Sequence, residues 1–166
     1  MGMEEQLKMP TGIGGVDAMT RGGLPRNRTT LLVGGPGSGK TVLGLQTLVN
    51  GARRWGEPGI FVACEERAAR VVANAASFGW DLEALQAERL FFLDARPASE
   101  VINAGQFDLQ GLLAGLEARA AEMGARRIVF DSLDVLLSLL QDPAAEQHEV
   151  YRIHDWLAGS GMSGLV

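Results

Sequence analysis

Apolar residues in this chain follow two alternating rhythms: short unbroken runs, and longer stretches in which they recur every three or four positions. Thr29-Thr30-Leu31-Leu32-Val33, Ile60-Phe61-Val62-Ala63-Cys64, Leu90-Phe91-Phe92-Leu93 and Arg127-Ile128-Val129-Phe130-Asp131 are runs of the first kind. Their β-branched and aromatic content predicts buried strands, and residues 162–166 begin a fifth. The second rhythm predicts helices over 41–54, 68–78 and 146–158, with a short one capped by Asp81. A further helix starts at Asp108, where Leu109, Leu112, Leu113, Leu116, Ala120 and Met123 make one apolar face and Gly124 is placed to end it. Residues 55–59 and 96–106 read as loops. The stretches 11–17 and 21–25 form a lead-in judged too rich in glycine for a stable helix of its own.

Strands alternating with helices predict an α/β fold with a mainly parallel sheet, because parallel neighbours need crossover connections. Ligands of such sheets bind at the carboxyl ends of the strands. Three polar features follow strands at that edge: the glycine loop 34–41, the pair Glu65-Glu66, and Asp131. One cleft is expected to collect them.

Gly34-Gly35-Pro36-Gly37-Ser38-Gly39-Lys40-Thr41 fits the phosphate-loop pattern G-x-x-x-x-G-K-[ST] and lies between a predicted strand and a predicted helix. A triphosphate needs many donors converging on one concave surface, and glycines let the backbone curl closely enough to supply them. The helix N-terminus adds free N–H groups. Lys40 is expected between the β- and γ-phosphates, and the Thr41 hydroxyl on Mg²⁺.

Asp131, at the end of an apolar strand, has the form of a second metal-holding element opposite Thr41. Glu65 and Glu66 are candidates for positioning and polarising a hydrolytic water, and strand alternation aims them in different directions. Which of the two is the base is left open by the pattern. Cys64 reads as a small buried hydrophobe, and His148 and His154 as solvent-exposed. Trp55, Trp80 and Trp156 read as packing anchors, and Arg126-Arg127 is too short a basic run to mean nucleic acid.

Composition narrows the partners. The 166 residues are about one domain in length, with 46% apolar and 21% charged residues. A net charge of −5 argues against dependence on nucleic-acid phosphates. The single cysteine precludes an internal disulfide and points to a reducing cytoplasm, and no window has the length and apolarity of a membrane span.

From residue 12 to 166 the chain resembles the KaiC family of RecA-like ATPases. The resemblance is carried by Thr11-Gly12-Ile13 with Val16-Asp17, Gly22-Gly23-Leu24-Pro25, the glycine loop, Phe61 to Glu66, Ser77-Phe78-Gly79-Trp80-Asp81-Leu82, Phe107-Asp108-Leu109, and Arg126 to Ser132. It implies a P-loop NTPase domain of RecA-like three-layer α/β/α type over residues 29–166, behind a lead-in of residues 1–28. It also implies an ATP- and Mg²⁺-dependent protein forming a hexameric ring with nucleotide between neighbours, with partners of clock or signalling type.

In residue terms, the resemblance places Gly35, Pro36, Gly37, Ser38, Gly39, Lys40, Thr41 and Val42 on the nucleotide, with Ser77 near it. Glu65 matches the proton-accepting glutamate, Glu66 supports it, and Asp131 matches the second-motif aspartate. Asn27 replaces a common glycine, a change asparagine tolerates because it also visits positive φ. Similar proteins continue beyond residue 166, so a domain incomplete on its C-terminal side is expected, binding and hydrolysing nucleotide poorly as a monomer. Serine/threonine autokinase activity is implied for a full-length member. A DNA-transaction ATPase and a nucleotide-gated scaffold with little hydrolysis are the competing functions.

Overall fold

The computed structural model describes residues 7–96, 108–140 and 142–166. Most of the loop expected over 96–106 therefore lies outside the described residues. The elements, in chain order, are β1 (Lys8–Met9), α1 (Gly14–Met19), β2 (Leu24–Pro25), β3 (Thr29–Thr30), α2 (Lys40–Trp55), β4 (Gly59–Ala63), α3 (Ala68–Asn74), α4 (Leu82–Glu88), β5 (Leu90–Asp94), α5 (Leu109–Met123), β6 (Arg127–Asp131), α6 (Leu133–Leu137), α7 (Pro143–Ser160) and β7 (Ser163–Leu165). A 3₁₀ turn, Ala75–Phe78, tightens the end of the helix expected over 68–78.

Five strands form one parallel sheet in the order β3-β7-β6-β4-β5, and β1 and β2 make a separate antiparallel pair. The strand that begins near residue 162 thus lies between the strand entering the glycine loop and the one ending at Asp131. Regular pairing of β3 covers only Thr29 and Thr30, against Gly164 and Leu165. Leu32 N still donates to Val166 O at 2.7 Å, so the ladder runs as far as its partner does. Leu31 and Val33, expected to be buried, are 71% and 84% exposed, because among the described residues nothing packs on their side of this edge.

Alternation along the strands divides the core into two layers. Phe61, Ala63 and Val129 face a cluster with Leu45, Leu48, Val71 and Leu85 from α2, α3 and α4. Ile60, Val62, Ile128 and Phe130 face the opposite cluster, with Leu113, Leu116, Ile153 and Leu157 from α5 and α7. A sheet buried on both faces explains why its strands read as continuous apolar runs. The apolar face of α5 is as expected: Leu109, Leu113 and Leu116 are buried, and Gly124 caps the helix at φ 64.

The lead-in departs from its expectation, because residues 14–19 do form a helix, α1. None of its residues is fully buried and only Val16 packs against the core, so packing alone does not stabilise it. The Asp17 carboxylate does: it accepts from Thr11 N at 2.8 Å, Thr11 Oγ1 at 2.7 Å and Gly12 N at 2.9 Å, closing the turn before the helix. Asn50 of α2 donates to Thr11 O at 3.0 Å and ties this turn to the domain.

At the end of the sheet away from the glycine loop, Arg127 is fully buried and makes three kinds of contact. Its Nε donates to Glu57 Oε2 at 2.6 Å, its Nη1 donates to Pro10 O at 2.8 Å and Thr47 O at 3.1 Å, and its guanidinium lies 5.1 Å from the Trp55 ring. Glu57 also accepts from Arg26 at 3.0 Å. One buried cation thus joins the lead-in, α2 and β6, and Arg127 does structural work rather than nucleic-acid binding.

Candidate functional site

The glycine loop leads directly into α2, whose N-terminal flank is Gly39 at φ 88, a left-handed conformation that glycine adopts without penalty. Gly34 is restricted for another reason, since a Cβ there would collide with the Ser38 side chain. The Lys40 ammonium donates to Gly34 O and, at 3.2 Å, to Gly35 O, so it is held over the loop it serves. The Thr41 hydroxyl, in the first turn of α2, donates to Asp131 Oδ2 at 2.8 Å.

Sheet register explains the rest of the constellation. Ala63 at the end of β4 pairs with Asp131 on one side and Asp94 on the other, so all three occupy one row at the sheet's carboxyl edge. Just past that row, Cys64 N and Glu65 N both donate to Asp131 O, at 2.8 and 3.3 Å. This fixes Glu65 beside the Asp131 backbone.

The two acids are not equivalent. Glu65 is exposed, whereas Glu66 is half-buried and held by Arg70 Nε at 2.8 Å and Asn74 Nδ2 at 3.3 Å. Glu65 has no side-chain partner among the described residues and is free to meet a water. Cys64 is buried, and burial, with the nearby Asp131 charge, pushes its thiol up to about 12. It stays a protonated packing group.

A cavity of roughly 750 Å³ gathers Gly35, Pro36, Gly37, Ser38, Gly39, Lys40, Thr41 and Val42 with Glu65, Glu66 and Asp131. Its volume suits a nucleotide. Ser77 is not among the lining residues; it sits on the exposed 3₁₀ turn, next to Phe78, whose ring stacks on Trp80 at 4.7 Å. Three lining residues escaped the sequence reading: Arg67, Arg70 and Arg96. The i,i+4 spacing of Glu66 and Arg70 was a readable signal for one of them.

Among the described residues no group of three or more His, Cys, Asp or Glu side chains could hold a metal by itself. The Thr41 hydroxyl and Asp131 carboxylate nevertheless fit Mg²⁺, which is bound by one or two protein oxygens and completes its octahedron with phosphate and water. His148 and His154 are exposed on α7. No helix among the described residues is long and apolar enough to cross a membrane.

The family model described as "ATPase: KaiC" matches residues 9–166. This chain belongs to the KaiC family. It is 40% identical over 162 residues to the circadian clock protein KaiC2 of a Synechocystis species, covering 96% of this chain and 28% of that protein. It is 41% identical over 148 residues to the circadian clock oscillator protein KaiC of Prochlorococcus marinus subsp. pastoris, covering 88% and 29%. The KaiC of Thermostichus vulcanus is 39% identical over 166 residues, covering 98% and 32%. The chain therefore spans about a third or less of these KaiC proteins. The parallel sheet with helices on both faces agrees with the RecA-like fold of the KaiC ATPase domain.

Proposed function

We propose that this KaiC-family domain is the ATP-binding and ATP-hydrolysing module of a clock or signalling ATPase. The observation that carries the reading is the convergence of Lys40, the Thr41–Asp131 pair and Glu65 on one cavity. The loop N–H groups and the start of α2 would hold the β- and γ-phosphates, with Lys40 over them. Mg²⁺, when bound by Thr41 and Asp131, supplies charge neutralisation at the phosphate oxygens.

Glu65 is the proton acceptor in this reading. It orients a water whose oxygen attacks the γ-phosphorus, takes the water's proton, and the β–γ bridging bond breaks to leave ADP and orthophosphate. Glu66 is held away from that role by Arg70 and Asn74. Ser77 remains a proposed nucleotide neighbour, one that would have to meet the nucleotide outside the phosphate cavity.

The family reading extends to a hexameric ring with nucleotide between subunits, protein partners of clock or signalling type, a cytoplasmic location and autokinase activity in a longer protein. No described residue here is assigned the kinase step. A DNA-transaction role is not favoured, since the net charge is −5 and Arg127, of the pair Arg126-Arg127, is buried on Glu57. Titration of a fluorescent ATP analogue with Mg²⁺ tests the reading: wild type binds, and Lys40→Ala loses at least about tenfold in affinity. Equal affinities would refute it.

A further inference from the structure

The far wall of the phosphate cavity is cationic. Arg67, Arg70 and Arg96 line it, opposite Lys40, Thr41 and Asp131, with Glu65 and Glu66 between the two sides. This concentration is not a sample of the surface as a whole, which carries a net charge of −5. The three arginines come from different places: Arg67 and Arg70 from the start of α3, Arg96 from the segment leaving β5.

Register sets the Arg96 end of this lining apart from the Asp131 side. Asp131 pairs across to Ala63 and Ala63 to Asp94, and Arg96 lies just beyond Asp94. Two strand spacings of about 4.8 Å therefore separate the Asp131 side of the row from the Arg96 side. Arg70 is engaged with Glu66 at 2.8 Å, and Arg96 has only a loose, exposed contact with Asp94 at 3.4 Å. Arg67 has no ion-pair or side-chain hydrogen-bond partner among the described residues.

The direction of phosphoryl transfer gives this wall a ligand. In an in-line displacement the phosphorus moves away from the leaving oxygen and toward the attacking one. The leaving ADP is held on the Lys40 side and the water on the Glu65 side, so the phosphate formed moves toward Arg67 and Arg96. Guanidinium forks suit a phosphate's planar pairs of oxygens, and hydrogen bonds between two charged groups are the stronger kind.

We propose that Arg67 and Arg96 form an orthophosphate subsite that receives the cleaved phosphate before it leaves, while Arg70 stays on Glu66. This rests on the ATPase reading above. The subsite is distinct from the glycine loop and is supplied wholly by this chain.

The test is calorimetric titration of inorganic phosphate into the 166-residue protein saturated with ADP and Mg²⁺, repeated with chloride in place of phosphate. ADP affinity is measured separately for each variant. The expected result is phosphate binding that weakens about tenfold or more in the Arg67→Ala/Arg96→Ala double variant, with ADP affinity within about twofold of wild type. Arg67→Lys/Arg96→Lys should recover part of the loss, because it keeps the charge and loses the fork. Phosphate affinity unchanged in the double alanine variant, binding no different from chloride, or no phosphate binding to ADP-loaded wild type would each overturn the subsite. Failure of wild type to bind ADP at all would overturn the nucleotide reading itself, and the subsite with it.

Discussion

The Thr41 hydroxyl donates to the Asp131 carboxylate at 2.8 Å although 90 residues separate them in the chain. Parallel pairing of β6 with β4 and the packing of α2 over β6 produce that contact. It aligns two side-chain oxygens on one side of the cavity beside the glycine loop.

Asp131→Asn should keep the contact with Thr41, because the amide oxygen still accepts, and lose the negative charge. The Mg²⁺ concentration required for half-maximal ATP binding should then rise about tenfold, with little change in thermal stability. A Mg²⁺ titration of wild type and variant checks this; superimposable curves would remove Asp131 from the metal.

At the other end of the sheet, burial disfavours the Glu57 carboxylate, but the Arg127 charge and hydrogen bonds from Arg26 and Arg127 outweigh it, and the pKa falls below the ordinary glutamate value. The resulting stabilisation is present above the unfolded pKa, about 4.3, and is lost as pH falls through the lower folded value. Glu57→Gln should destabilise the domain near pH 7 by about 3–5 kcal/mol, since Arg127 is left buried without its counter-charge. The gap between wild-type and variant melting should narrow as pH drops below about 4. A gap independent of pH would contradict the ion pair.

Gly51 sets two effects against each other. Alanine there gains about 1 kcal/mol of helix propensity within α2. Its Cβ, however, would lie 2.7 Å from Arg127 Cδ and 2.8 Å from Arg127 Cζ. Arg127 is pinned by Glu57, Pro10 and Thr47 and cannot swing aside, so an overpacking cost of about 1–3 kcal/mol should win. Gly51→Ala should melt at a lower temperature than wild type, by about 2–4 °C for each kcal/mol. A higher Tm would mean that the side chain relaxes.

Much of this architecture is legible in the residues, for physical reasons. Strands buried on both faces must be apolar throughout, so Ile60 to Cys64 and Ile128 to Phe130 announce themselves, and the glycine loop needs residue types that few other structures require. The helix over residues 14–19 was hidden because its stability comes from one side chain, Asp17, bonding back to Thr11 and Gly12 rather than from propensity. Helix α6, Leu133–Leu137, was hidden by its brevity, which leaves too few residues for a period to show. The different fates of Glu65 and Glu66 depend on Arg70 and Asn74 one and two turns along α3. Arg67 and Arg96, nearly thirty positions apart, come to line one cavity only through the β4–β5 pairing.

On the proposed reading, Glu65, and not Glu66, accepts the proton in ATP hydrolysis at this cavity. Single-turnover hydrolysis, with protein in excess over Mg²⁺-ATP and with ATP affinity measured in parallel, distinguishes the two acids. Glu65→Gln should retain ATP binding and slow hydrolysis by about 10²–10⁴-fold, while Glu66→Gln slows it far less. A Glu65→Gln protein that binds ATP and hydrolyses it at the wild-type rate would remove Glu65 from the chemistry.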